Sequence, residues 1–492
     1  MRRRECGGRG NAMGEHRSMR YRLHECRRFR VAGREVLFLV PSHSIFALDE
    51  LAAEIVHLLE EREALSISDI LRHLNGHRSS AEPMGAIREL VSLGILQPAA
   101  QPINPRPQPA PPATFPLRTL VLNVTNTCNL SCGYCYEYGE DQLSHSPPRA
   151  MPWEVAKRAV DFLLEHSGES DRVSLTFFGG EPLLNFKLIR RTVSYAEQRA
   201  AERGKRIDFS LTTNATLLTR RVIDFLAEHR IGVTVSIDGP RELNDRLRVF
   251  PSGRGSYDVI APKIADLLRR HKTRPIGARV TLTSAVREVE RIFDYLIDLG
   301  FQDVGFAPVT TAVGRDYALS EEALAEVLRQ FETLTERFVE AALRGSYLGF
   351  SNLSDLLWEL HHGFSKSYPC GAGLGLLGVS PTGDLALCHR FIESPQHRLG
   401  TVETGVDERR RAAFLKAAHL SRKTDCHTCW VRGLCSGGCH HEAYVRYGDT
   451  FHPNLHYCDW IRAWTEIGIR AYVRIMEGNP AFFDRLEGRK SP

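Results

Sequence analysis

The sequence predicts an α/β protein: a partial (β/α)6 TIM-like barrel, with a small winged-helix-like domain before it and a cysteine-rich metal domain after it. Three observations carry this. From residue 117 to about 309, apolar strand-like runs alternate six times with helical periodicity, the pattern of parallel strands with helices outside. Six units fall short of a closed eight-stranded barrel, so the sheet is read as open. Residues 97–116 hold eight prolines, an extended, semi-rigid linker that marks a domain boundary. Ten of the twelve cysteines fall into two groups with ligand-like spacing.

Taken in order, 1–19 reads as a disordered basic tail, with Met13 and Met19 as alternative starts. Residues 20–97 form the first domain: strands at 21–31, 35–40 and 44–48 with a Gly33 turn, a helix capped by Asp49, helices at 66–74 and 83–93, and a closing strand at 94–96. The linker is set at 98–116. The barrel, 117–345, has strands at 119–124, 173–177, 207–211, 233–237, 276–282 and 304–307. Its helices fall at 153–166, 186–203, 219–229, 257–271, 288–299 and 321–343. Residues 346–460 are rich in Cys, Gly and His with little apolar core of their own, and 461–492 form a helix and polar tail.

Composition is that of a globular protein, 42% hydrophobic and 25% charged over 492 residues. The net charge of +5 is mild, and the early arginines read as a solvated tail, which disfavours a nucleic-acid partner. No apolar run reaches membrane-spanning length and no signal-peptide core is present, so a cytoplasmic location without membrane is expected. In that compartment cysteines serve as metal ligands more often than as disulfides. Cys6 and Cys26 have no assigned role.

The first group is Cys128, Cys132 and Cys135, spaced C-x3-C-x2-C just after the first barrel strand. Thiolates select Fe–S, Zn or Cu(I). A structural zinc site wants a fourth ligand, and the next candidate, His145, is ten positions on. The missing ligand favours an iron–sulfur cluster with one open iron, placed at the strand ends where such sheets put their sites. Gly179, Gly180 and Glu181 follow the second strand: glycines admit close approach to a ligand, and an exposed Glu181 would accept from an ammonium group. Asn214 follows the third strand, Ser236 and Asp238 end the fourth, and Arg279 sits in the fifth, where a buried charge needs a partner such as a carboxylate. The basic loop holding Arg246, Arg248 and Arg254 is either solvated or a ligand contact.

The second group runs Cys370, then Gly383-x4-Cys388, then Cys426-x2-Cys429-x5-Cys435-x3-Cys439, then Cys458. Zinc or further Fe–S clusters are the alternatives that spacing leaves open.

The C-x3-C-x-Tyr134-Cys135 loop resembles the signature of the radical S-adenosylmethionine (SAM) superfamily. The Gly179-Gly180-Glu181-Pro182 stretch resembles that family's SAM amino-group motif, and the second group resembles its seven-cysteine SPASM extension. The resemblance implies three [4Fe–4S] clusters. Cys128, Cys132 and Cys135 would hold the SAM-binding one; Cys426, Cys429, Cys435 and Cys458 a complete auxiliary one; Cys370, Cys388 and Cys439 the other auxiliary one. That last cluster lacks one ligand, which water, His389, His440, His441 or a substrate thiolate would supply. Gly179, Gly180, Glu181, Asn214, Ser236, Asp238 and Arg279 would bind SAM. Cleavage of SAM would give a 5′-deoxyadenosyl radical that removes hydrogen from a C–H bond, with an auxiliary cluster accepting the second electron. The first domain resembles PqqD-like peptide-recognition modules, so the implied partners are a ribosomal precursor peptide or small protein subunit and an electron donor such as flavodoxin or ferredoxin. The layout is similar to quinohemoprotein amine dehydrogenase maturases and other thioether-forming enzymes. Sulfatase-maturing members carry an acidic residue where His389 stands; His389 and Arg390 are the catalytic candidates. Formylglycine formation, a C–C crosslink and epimerisation are the other chemistries. A zinc-rich winged-helix regulator is the non-enzymatic reading.

Overall fold

A computed structural model describes residues 19–74, 81–101, 116–143 and 145–490. All but Met19 of the tail expected at 1–19, most of the proline-rich linker and the end of the C-terminal tail lie outside them.

The run expected as one strand at 21–31 is two. β1 (Arg20–Leu23) and β2 (Cys26–Val31) part at His24-Glu25 and enter different sheets. β2, β3 (Arg34–Leu39) and β4 (Ser44–Leu48) form an antiparallel sheet. β1 lies between β5 (Leu65–Ser66) and β6 (Leu96–Pro98), the latter two residues later than expected. Helices α1 (Glu50–Glu61), α2 (Ile67–Leu74) and α3 (Ala81–Ser92) pack on these sheets, α1 capped by the Asp49 carboxylate accepting from Ala52 N–H. Side chains alternate along β3. Leu37 and Leu39 enter the module's own core, while Val36 and Phe38 enter the main core of the molecule.

The six expected barrel strands form as a parallel sheet in sequential order: β7 (Thr119–Thr125), β8 (Arg172–Gly179), β9 (Arg206–Thr213), β10 (Gly232–Ser236), β11 (Ile276–Leu282) and β12 (Asp303–Pro308). The sheet does not stop there. β13 (Leu376–Val379) pairs parallel with the far side of β7, followed antiparallel by β14 (Asp384–Ala386), β15 (Arg398–Thr401) and β16 (Gly405–Val406). The cysteine-rich stretch therefore shares one ten-stranded sheet with the barrel strands, and its poverty of apolar residues is offset by packing on that sheet. The expected tail helix starts earlier, at Cys458, and runs to Gly478 (α4). It packs against Glu321–Leu343 and against β2.

Candidate functional site

The three-cysteine loop leaves the carboxyl end of β7 and is tied down on both sides. Ser131 N–H donates to Val249 O at 2.7 Å and Gly133 N–H to Leu247 O at 3.1 Å. The motif's aromatic residue is an anchor: Tyr134 OH donates to Asp238 Oδ2 at 2.6 Å. Asp238 is fully buried and also takes Arg248 Nε at 2.8 Å and Thr281 N–H at 2.9 Å. Arg248 lies 5.4 Å over the Tyr134 ring. A buried charge pair of this kind persists only because further hydrogen bonds complete it. Its carboxylate also keeps the Arg248 pKa above the ordinary value despite burial.

On the other side, Asn214 Nδ2 reaches Asn129 Oδ1 at 3.0 Å and Cys128 Sγ at 3.7 Å, and Thr216 Oγ donates to Asn214 Oδ1 at 2.6 Å. Glu181 is not the exposed acceptor expected from its motif. It is fully buried and receives Thr213 Oγ at 2.7 Å, Asn214 N–H at 2.8 Å and Leu183 N–H at 3.1 Å. Burial pushes its pKa up to about 7. Gly179 and Gly180 do serve close approach, but to the protein itself. A Cβ on Gly179 would stand 2.1 Å from Thr125 O, and one on Gly180 2.2 Å from Thr127 O. Gly180 and Glu181 N–H groups continue the ladder to those carbonyls at 3.0 and 2.9 Å.

A cavity of about 570 Å³ opens over these strand ends. Cys128, Cys132, Cys135, Gly179, Gly180, Asn214, Ser236 and Arg279 line it, and His389 and Arg390 close it from the second cysteine region. Glu181 and Asp238 lie behind its wall. Arg279 enters from β11; burial and the neighbouring Arg390 lower its pKa, against Asp355. Arg390 donates to Thr310 Oγ1 at 3.0 Å and lies 4.6 Å over the Tyr136 ring. His389 stands 4.5 Å from Phe178, and burial holds its pKa down at about 3, so the ring is neutral.

Residues 122–283 match the Radical SAM superfamily. The chain carries a radical SAM domain. An uncharacterized protein of Methanocaldococcus jannaschii is 33% identical over 192 residues, 39% of this chain and 62% of that relative. The serine-type anaerobic sulfatase-maturating enzyme of Bacteroides thetaiotaomicron is 26% identical over 371 residues, 70% of this chain and 87% of its own. Among solved structures, native anSMEcpe with bound AdoMet superposes with a TM-score of 0.62 at 23% identity, covering 74% of this chain and 99% of that one; the two share a fold.

The residues present fit the radical SAM cofactors. Three thiols line one wall of the cavity, and polar and cationic groups line the rest. None of the eleven described cysteines is in a disulfide. In the second region the thiols fall electrostatically into two sets. Cys426 feels Cys435, Cys429 and Cys458, whereas Cys388 feels Cys439 and Cys370. Thiolate donors suit iron–sulfur groups, in which each thiolate binds its own iron. Cys439 precedes the helix His440–Tyr447 (α5) and Cys458 opens α4.

Three features escaped sequence reading. Tyr136 faces both cysteine regions, edge-on to His441 at 5.6 Å. Glu137, half-buried beside it on the cavity wall, has its pKa raised to about 7 by burial. Lys423, 4% exposed, donates to Ser436 O at 3.0 Å within the turn from Cys435 to Cys439. Each adjoins a cysteine motif in sequence, the one signal that could have flagged it. The basic loop resolves into parts: Arg248 is the buried anchor, Arg246 donates to Ala285 O at 2.7 Å, and Arg254 covers Phe250 at 5.1 Å.

Proposed function

We propose that this protein is a radical SAM maturase that oxidises a ribosomally made peptide, joining a cysteine sulfur to a carbon of the same peptide. One observation carries the reading: the three-cysteine loop and the His389-Arg390 turn beside Cys388 face each other across a single cavity. A peptide held there meets both cysteine regions. When bound, the cluster and SAM supply removal of a hydrogen atom from an unactivated C–H bond.

This chain's own residues do the holding. In the proposal, Asn214 and Ser236 contact SAM and Arg279 pairs its carboxylate. Glu181 and Asp238 act one step back, by fixing Asn214 and the Tyr134 loop. Phe178 and Tyr136 keep water from the reacting carbon, and His389, neutral, can accept a proton there.

The proposed organisation is a recognition module at 20–97, a radical SAM unit at 117–345 and an auxiliary-cluster unit at 346–460. Among the described residues, β4 pairs with β3 on one side only. The outer side of β2 is met by α4, where Arg470 Nη1 donates to Arg30 O at 2.9 Å. An extended leader peptide would therefore add at β4. A flavodoxin or ferredoxin would supply electrons, in the cytoplasm; no helix among the described residues is long and apolar enough to cross a membrane.

Anaerobic co-expression with a cysteine-containing peptide encoded beside the gene tests this. The expected product has lost two hydrogens per crosslink and resists thiol alkylation. An aldehyde that reacts with hydrazine, or deuterium uptake without oxidation, would replace crosslinking with formylglycine formation or epimerisation.

A further inference from the structure

As a [4Fe–4S] site, the set formed by Cys370, Cys388 and Cys439 is one protein ligand short. This rests on the reading above that these cysteines hold a cluster. Cys439 leads directly into helix α5 (His440–Tyr447), whose first residue is His440. The His440 ring is 2% exposed. Its Nδ1 lies 3.1 Å from Thr450 O. A carbonyl only accepts, so Nδ1 carries the hydrogen and Nε2 is a bare lone pair. Nε2 is buried without a hydrogen-bond partner. A buried acceptor left unmet forfeits the hydrogen bond it had in water, and folded interiors seldom contain one.

Imidazoles that ligate metals have this arrangement: one nitrogen donates to a carbonyl, fixing the tautomer, and the other faces the metal. Imidazole also replaces cysteine as an iron ligand in some clusters. The other two histidines nearby lack the arrangement. His441 has both nitrogens buried and unmet, with no carbonyl to fix its tautomer. His389 stands on the wall of the large cavity. Packing also ties His440 to the right cysteine. Its ring meets Phe414 at 5.1 Å. Phe414 in turn presses on Gly373, three residues past Cys370, where a Cβ would come within 3.2 Å of that ring.

We infer that His440 Nε2 is the fourth ligand of the cluster held by Cys370, Cys388 and Cys439. That cluster is then closed. It carries electrons and does not bind the substrate sulfur, which must be positioned by protein contacts in the cavity instead.

The test uses the full-length, anaerobically reconstituted protein with heavy-nitrogen histidine, read by pulsed electron paramagnetic resonance of the reduced clusters. Directly coordinated histidine nitrogen is expected in the wild type and in His441→Ala and His389→Ala, and absent in His440→Ala. Because the alanine variant can lose the cluster altogether, His440→Cys is run beside it. That variant should keep its iron and lose the nitrogen coupling. Coupling that survives in His440→Cys, or none in the wild type, overturns the inference. A combined Cys370→Ala, Cys388→Ala, Cys439→Ala variant judges the underlying reading separately. If its iron and sulfide do not fall by one cluster's worth, the cluster assignment fails, and the ligand with it.

Discussion

The three-cysteine loop stands at the carboxyl end of a parallel sheet and opens onto a cavity, whereas the seven later cysteines are held by turns and helix starts. The first is fixed by long-range polar latches: Tyr134 and Arg248 on Asp238, and Asn129 on Thr216 and Asn214. The second is fixed by local backbone conformation. Ser436, Gly437 and Gly438 all have positive φ and bring Cys435 round to Cys439 over three residues. A site that must admit substrate leaves ligand positions open and supports its loop from behind. A site that passes electrons can be closed and folded tightly.

The contrast breaks most sharply at the ligands. Replacing Cys128, Cys132 or Cys135 by Ala should abolish release of 5′-deoxyadenosine from SAM. Cys458→Ala should leave that release measurable while stopping peptide oxidation, as liquid chromatography of both products would reveal. Equal loss in both would mean the two regions do not divide the work.

Asp238→Asn tests the latch. Removing one partner of a buried charge pair costs about 3–5 kcal/mol, read as a lower denaturant midpoint and weaker SAM binding. A midpoint unchanged from wild type would leave the loop supported by something other than Asp238. Gly179→Ala adds a Cβ into Thr125 O at a φ of +121° and should cost about 3 kcal/mol by strain and clash. Gly204→Ala, at φ +63° with open space around it, should cost only about 1 kcal/mol.

The smallest effect is one of pH. His397 lies buried between Ser394 Oγ at 2.8 Å and Thr450 Oγ1 at 2.9 Å, and burial lowers its pKa to about 4. The unfolded chain takes up the proton first. The stability from His397 is therefore complete above about pH 6.5 and lost as pH falls toward 4, about 2 kcal/mol between pH 6.5 and about pH 5. His397→Gln should flatten that part of the stability profile; an unchanged slope would assign the acid sensitivity elsewhere.

The radical SAM strands were legible because each is a continuous apolar run, and the cysteines because their spacing is dense. Direction was not legible. Glu181 and Asp238 sit at strand ends, where one residue's shift turns a side chain from the cavity to the wall, and both turned inward. The spacing predicts close approach of a ligand at glycines 179 and 180, whereas the groups that approach them in the structure are Thr125 O and Thr127 O. β13–β16 are two to four residues each, too short for alternation to show, so the continuation of the sheet past β7 had no sequence signal. The break at His24-Glu25 was hidden because apolar and charged residues alternate on both sides of it.

Phe29 and Phe38 of the amino-terminal module stand 5.6 and 5.8 Å from Trp430, next to Cys429, and Glu25 pairs with Arg432. The module is thus no interchangeable cartridge. A chimera that swaps residues 20–97 for those of a relative would bare an aromatic patch beside Cys429 unless Trp430 and Arg432 travelled with it. Changes in that module and changes around Cys429 are, in this chain, one inherited unit.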